Sequence, residues 1–220
     1  MISKTMPFSE QQIEAICAAY PTPFYLYDER GIRADARALL EAFGWAPAFK
    51  EFFAIKATPN PYILTILRAE GCGADASSYP ELLLAVRAGI TGEEIMFTSN
   101  DTPAHEFRLA RELGAIINLD DLTHLPFLER HAGVPDAVSF RYNLGPRRPG
   151  NAIIGSPAEA KYGLTYEQLF EGYAAARATG LVLPFHVHEV RAQHPWFNSP
   201  VQHIYQSNRR AESDCLARPP

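Results

Sequence analysis

Short apolar runs alternate with capped, helix-period stretches from residue 24 to residue 188, and no other feature of the chain narrows its fold as far. Before the alternation begins, Ser9 with Gln12 three residues on reads as a capping box, followed by a stripe of Ile13, Ile16, Cys17 and Tyr20. Phe24-Tyr25-Leu26-Tyr27 is a β-rich run, and Ile32, Ala36, Leu39, Leu40 and Phe43 are spaced for a helix. Phe52-Phe53-Ala54-Ile55 is an apolar run without a polar break, as in a strand buried on both faces. Asn60 and Pro61 then read as N-cap and first position of a helix reaching Ala69. Strands are expected at residues 71–76, 95–97, 115–119, 137–141 and 181–188. Between them come helices begun by a second capping box at Ser78 and Glu81, by Thr102-Pro103, near Asp121, and by Thr165 with Gln168. Such alternation predicts parallel βαβ units. Both an open doubly wound sheet and a (β/α)8 barrel satisfy it. No G-x-G-x-x-G follows the first strand, which speaks against a dinucleotide site.

Composition excludes several classes. A net charge of -5 leaves no basic footprint for nucleic acid or anionic membrane. No apolar stretch approaches the ~20 residues that span a bilayer, and Lys4 is not followed by the apolar core of a secretory signal. Cys17, Cys72 and Cys215 are odd in number and widely spaced, against a disulfide framework or zinc site and for a reducing cytoplasm. The stretch 143–162, with Pro146, Pro149, Gly150 and Gly155, has no periodicity and reads as a long loop. From about Glu189 the pattern is lost, so the chain divides into an α/β unit over 1–188 and a tail over 189–220 with little packed structure expected.

Lys56 stands where a buried strand ends, at the carboxyl-end mouth where barrels keep their chemistry. A lysine partly withdrawn from water there becomes a competent Schiff-base nucleophile; the alternative is a lysine that simply snorkels out of the strand top. Asp75, Arg141 and His188 also fall at or just past strand ends and would converge on the same rim. Asp75 reads equally as a turn cap, Arg141 as a rim ion-pair partner, and Glu81 as a helix cap. His186 and His188 alternate on one strand, but no third ligand has matching spacing, against a metal site.

Thr22-Pro23-Phe24-Tyr25-Leu26-Tyr27-Asp28, Phe53-Ala54-Ile55-Lys56-Ala57-Thr58-Pro59-Asn60 and Gly73-Ala74-Asp75-Ala76-Ser77-Ser78-Tyr79-Pro80-Glu81-Leu82 together resemble the fold-type III pyridoxal-phosphate decarboxylases. Within that family they resemble the diaminopimelate decarboxylases most. The series continues in order with Ile95-Met96-Phe97-Thr98-Ser99-Asn100, Ile117-Asn118-Leu119-Asp120, Phe140-Arg141-Tyr142-Asn143 and Lys161-Tyr162-Gly163. The resemblance implies an incomplete (β/α)8 TIM-type barrel of about six βα units, with pyridoxal 5'-phosphate as cofactor. It implies that Lys56 forms the covalent imine link, with Asp75 beside it and His188 stacked on the cofactor ring. Arg141 and Glu81 would belong to the surrounding polar network. The implied activity is decarboxylation of an amino acid, foremost meso-diaminopimelate to L-lysine, in a family that is homodimeric.

The resemblance fails after His188. The family continues with a glycine-serine phosphate turn where this chain reads Glu189-Val190-Arg191, and a glutamate there would repel phosphate. No counterpart of the family's C-terminal β-domain or its later glycine-rich loop is recognisable, and Cys215 lacks the neighbours of the family's cysteine. The expectation is therefore a truncated or frame-shifted chain of uncertain turnover. The alternative is a non-catalytic single-barrel cofactor-binding protein or pseudoenzyme fragment. Unclosed sheet edges predict poor solubility without a partner.

Overall fold

The structure, a computed structural model, describes residues 6–46, 49–143 and 162–179, and the backbone alone of 185–189 and 203–207. Local signals set where the first helices begin. Ser9 Oγ accepts from the Gln12 amide at 3.2 Å and the Gln12 side chain accepts from the Ser9 amide at 2.8 Å, closing the capping box of α1 (Glu10–Ala19). Asp28 caps α2 (Glu29–Ala42), which buries Ala36 and Leu39. Asn60 caps α3 (Pro61–Ala69), with Pro61 at a position where no amide hydrogen is needed. Arg33 and Arg37 both bond Glu70, at 2.7 and 2.5 Å, tying α2 to the end of α3.

Five parallel strands follow: β1 (Phe49–Ala54), β2 (Gly73–Ala76), β3 (Ile95–Ser99), β4 (Ile116–Leu119) and β5 (Val138–Phe140). They lie side by side in chain order. Between them run α4 (Tyr79–Arg87), α5 (Ala104–Glu112) and α6 (His124–Ala132), and α7 (Tyr166–Ala178) follows β5. This sequential order decides between the two architectures the alternation allowed. A doubly wound sheet reverses direction from its first strand, whereas a barrel adds each strand beside the last. Strands β6 (Phe185–Glu189) and β7 (His203–Ser207) join on the free edge of β1. β7 is antiparallel to both β1 and β6, so β6 runs in the same direction as β1. The backbone of β6 also comes near β5 at the opposite edge, so the sheet curls toward closure. The fold is thus a partial α/β barrel.

Alternation along each strand separates two faces. Outward, Ala74, Ala76, Ile95, Phe97, Ile117, Leu119, Val138 and Phe140 pack under Leu82, Ala85, Phe107, Leu125 and Leu128 of the helices. Inward, Phe52, Met96 and Ile116 form an apolar plug at the amino end. Gly73 is required by proximity: a Cβ there would lie 2.6 Å from the Glu94 carbonyl oxygen and 2.7 Å from the Phe52 ring.

Four local expectations are corrected. Residues 24–27 are not a strand. They run extended without a strand partner among the described residues and stand exposed, Tyr25 at 92%; β-branched and aromatic content makes a strand only beside a neighbour. The stripe of α1 covers no core, since that helix buries no residue. The box at Ser78 does not close: Glu81 reaches past the N-cap amide and accepts from Ser77 instead. Last, β7 falls in the stretch 189–220 read as unpatterned, where Ile204 and Tyr205 find pairing along the open edge of β1. The remainder of that stretch, apart from Glu189 on β6, lies outside the described residues, as does most of the loop 143–162.

Candidate active site

The carboxyl ends of the parallel strands carry the titratable residues singled out from the sequence. β1 ends at Ala54, and Ile55–Ala57 form one 3₁₀ turn that lifts Lys56 clear of the sheet. Lys56 is therefore exposed rather than partly withdrawn from water, and its amine has no ion-pair or hydrogen-bond partner among the described residues. Asp75 is the register partner of Ala54, two residues before Lys56, and its side chain is buried on the inner face. Strand pairing thus brings Lys56 and Asp75 to adjacent strand ends.

Glu81 binds the loop that follows Asp75. Its carboxylate accepts from the Ser77 amide at 3.0 Å, from Ser77 Oγ at 3.0 Å and from Ser78 Oγ at 3.1 Å. It holds the β2–α4 turn. Arg141, just past β5, donates to Asp120 Oδ1 at 3.1 Å, and its guanidinium lies 5.0 Å over the Tyr162 ring. The same Asp120 oxygen accepts from the Gly163 amide at 3.2 Å. Gly163 adopts φ +78°, and a Cβ there would sit 3.0 Å from the Arg141 carbonyl, so the chain returning from the long loop docks directly on β5. His188 falls on β6, whose backbone alone is described.

The site residues that sequence reasoning passed over are Asp120 as the partner of Arg141 and the belt beneath it. Thr98, Asn118 and Ser139 are register neighbours on β3, β4 and β5, all buried and all on the inner face with Asp75. Their signal is a polar residue at every second position of otherwise apolar strands: Asn118 and Asp120, Ser139 and Arg141.

Charge here is set by burial. Glu51, on the face of β1 shared with Phe53, is pushed up to about 8 by burial first and by Asp75 second. It is therefore largely uncharged near neutral pH. Burial likewise pushes the neighbouring Cys72 thiol up to about 12, which makes it a poor nucleophile. His124, at the start of α6, is lowered by burial against the opposing pull of Asp120, Asp121 and Asp101. No cluster among the described residues has the donors for a metal ion.

A singly wound α/β barrel segment with a free lysine at the mouth defines the class of the molecule. Comparison with known proteins narrows it. Residues 29–214 match the family described as pyridoxal-dependent decarboxylase, pyridoxal binding domain. The protein TabA of Pseudomonas amygdali pv. tabaci is 37% identical over 178 residues, which are 78% of this chain and 41% of TabA. Diaminopimelate decarboxylase of Methanothermobacter thermautotrophicus is 34% identical over 164 residues, 73% of this chain and 38% of that protein. The crystal structure of Helicobacter pylori diaminopimelate decarboxylase complexed with L-lysine superposes with a TM-score of 0.67 at 26% identity, over 78% of this chain and 44% of that one. The chain belongs to the pyridoxal-dependent decarboxylase family, through that family's pyridoxal-binding barrel domain. It spans about two fifths of the length of these curated relatives.

Proposed function

We propose that this chain binds pyridoxal 5'-phosphate through Lys56 and serves the decarboxylation of a diaminopimelate-class amino acid to lysine. The observation that carries the reading is the Lys56 amine, exposed and unpaired at the carboxyl end of β1 next to the buried Asp75. An amine so presented fits condensation with an aldehyde, which an ion-paired lysine would resist. The cofactor, when bound, accepts the electron pair left on the α-carbon as CO2 departs.

The chain's own groups have separable roles. Lys56 makes and releases the covalent link and is suited to carry a proton at its Nζ. Asp75, held at the neighbouring strand end, places a carboxyl group beside that amine. Glu81 fixes the turn after Asp75 through the two serines. Asp120 and Tyr162 hold the Arg141 guanidinium at the rim. We assign His188, on β6, to the cofactor ring. The diaminopimelate decarboxylases among the relatives support the substrate class. A homodimer is the proposed assembly.

The test is direct. Mixing the purified chain with pyridoxal 5'-phosphate should give a visible absorption band. Borohydride should fix the label on the peptide containing Lys56, and Lys56→Ala should abolish it. Release of CO2 from meso-diaminopimelate, set against ornithine and arginine, then assigns the substrate. Glu189-Val190-Arg191, at the family's phosphate turn, favours a second reading in which the chain binds without turnover. A band without CO2 from any of the three would select it. Failure to label Lys56 would refute both.

A further inference from the structure

Thr98, Asn118 and Ser139 make a polar belt across three adjacent parallel strands, one inner-face position below Asp120 and Arg141. Asn118 Nδ2 donates to Thr98 Oγ1 at 3.3 Å, which fixes the amide plane and turns its other end away from β3. That end, Oδ1, is buried and has no hydrogen-bond partner among the described residues, and the same is true of Ser139 Oγ. Reversing the amide would leave a donor rather than an acceptor open beside Ser139, and a hydroxyl, which both donates and accepts, meets either arrangement. The two open groups belong to register partners on the β4–β5 ladder, so they share a face and stand side by side. Stranding one such group in an interior is destabilising. Two of them adjacent, as register partners on neighbouring strands, is the pattern of a site with a shared occupant.

We infer that Asn118 and Ser139 form a subsite for one neutral hydroxyl-sized group, held between Asn118 Oδ1 and Ser139 Oγ beneath the Asp120–Arg141 pair. A hydroxyl or a water donates to the amide oxygen while exchanging a bond with the serine, and it brings no charge into the belt. A cation is disfavoured there because Arg141 stands one inner-face position above, just past β5. The group comes either from an internal water or from the ring hydroxyl of the cofactor; the second source rests on the function proposed above. Asn118 and Ser139 are then positioning residues.

The experiment compares wild type, Asn118→Ala, Ser139→Ala and the double variant in the 220-residue chain. Because a shared occupant is lost with either partner, each single substitution should lower Tm by about 2–4 °C, and the double should lower it little further. If the chain melts without cooperativity, hydrogen exchange of residues 116–119 and 138–140 gives the same reading through faster exchange in the variants. The source is separated by titrating pyridoxal 5'-phosphate against its 3-deoxy analogue. A loss of about fivefold or more in Ser139→Ala for pyridoxal phosphate alone identifies the cofactor hydroxyl; equal or unchanged affinities alongside reduced stability identify water. Should wild type bind neither compound, the proposed function fails and the stability comparison alone decides the subsite. A Ser139→Ala chain as stable as wild type or more so, with both affinities unchanged, overturns the inference.

Discussion

Replacing Glu51 with glutamine should remove a pH dependence that is otherwise built into β1. Glu51 is 3% exposed on β1 and has a buried carboxyl oxygen without a hydrogen-bond partner among the described residues. Burial, with a smaller contribution from Asp75, raises its pKa from 4.5 to about 8. The folded chain therefore holds this proton more tightly than the unfolded chain. Stability from Glu51 is fully present below about pH 4.5 and declines as pH rises toward 8, beyond which this group adds no further change. At 1.36 kcal/mol for each pH unit, the full loss is on the order of 5 kcal/mol. Water penetration and relaxation around a buried charge reduce it, so about 3–5 kcal/mol is the working range. The assay is urea unfolding of wild type and Glu51→Gln at intervals from pH 4 to 9. The difference between the two profiles isolates Glu51 from every other titrating group. Wild type should lose ground against the variant steadily between about pH 5 and 8 and hold a constant deficit above. Parallel profiles across that range would show that Glu51 ionises freely and that the described burial is wrong.

Two further substitutions probe the frame of the site. Gly73→Ala places a Cβ against the Glu94 carbonyl, which is backbone and yields only if β2 moves, so it should destabilise by about 1–3 kcal/mol, read as a lower urea midpoint with an unchanged slope. Asp120→Asn keeps an acceptor but removes the charge facing Arg141, and should destabilise by about 1–3 kcal/mol. Its particular signature is faster amide exchange at Gly163, whose N–H bonds the same carboxylate; unchanged exchange there would show that the contact does not hold the returning chain.

Much of the frame is legible residue by residue. Asn60 with Pro61, Ser9 with Gln12, and Thr165 with Gln168 each mark a helix start that the structure contains, because capping is a bond between groups two or three positions apart. The strands around Phe52, Asp75, Phe97, Ile117 and Phe140 are legible because short runs of apolar or small residues stand between the capped helices. Residues 24–27 misled because their aromatic content signals a strand only where a neighbouring strand exists. Ser78 and Glu81 misled because the spacing of a box does not say which amide the carboxylate will reach.

The sequence alone determined the alternation of strand and helix, the place of Lys56 just past a buried strand, and the resemblance that runs through Asp75, Arg141 and His188. All of these depend on residues close together in the chain. The tertiary structure decided that the strands add in order rather than reverse and that Asp120 meets Arg141. It also decided that Glu51 sits withdrawn from water while Lys56 does not, and that Asn118 and Ser139 lie side by side below the rim. Those facts depend on which strands become neighbours and which groups they remove from water. Neither is encoded in a two- or four-residue period; both arise when distant segments pack.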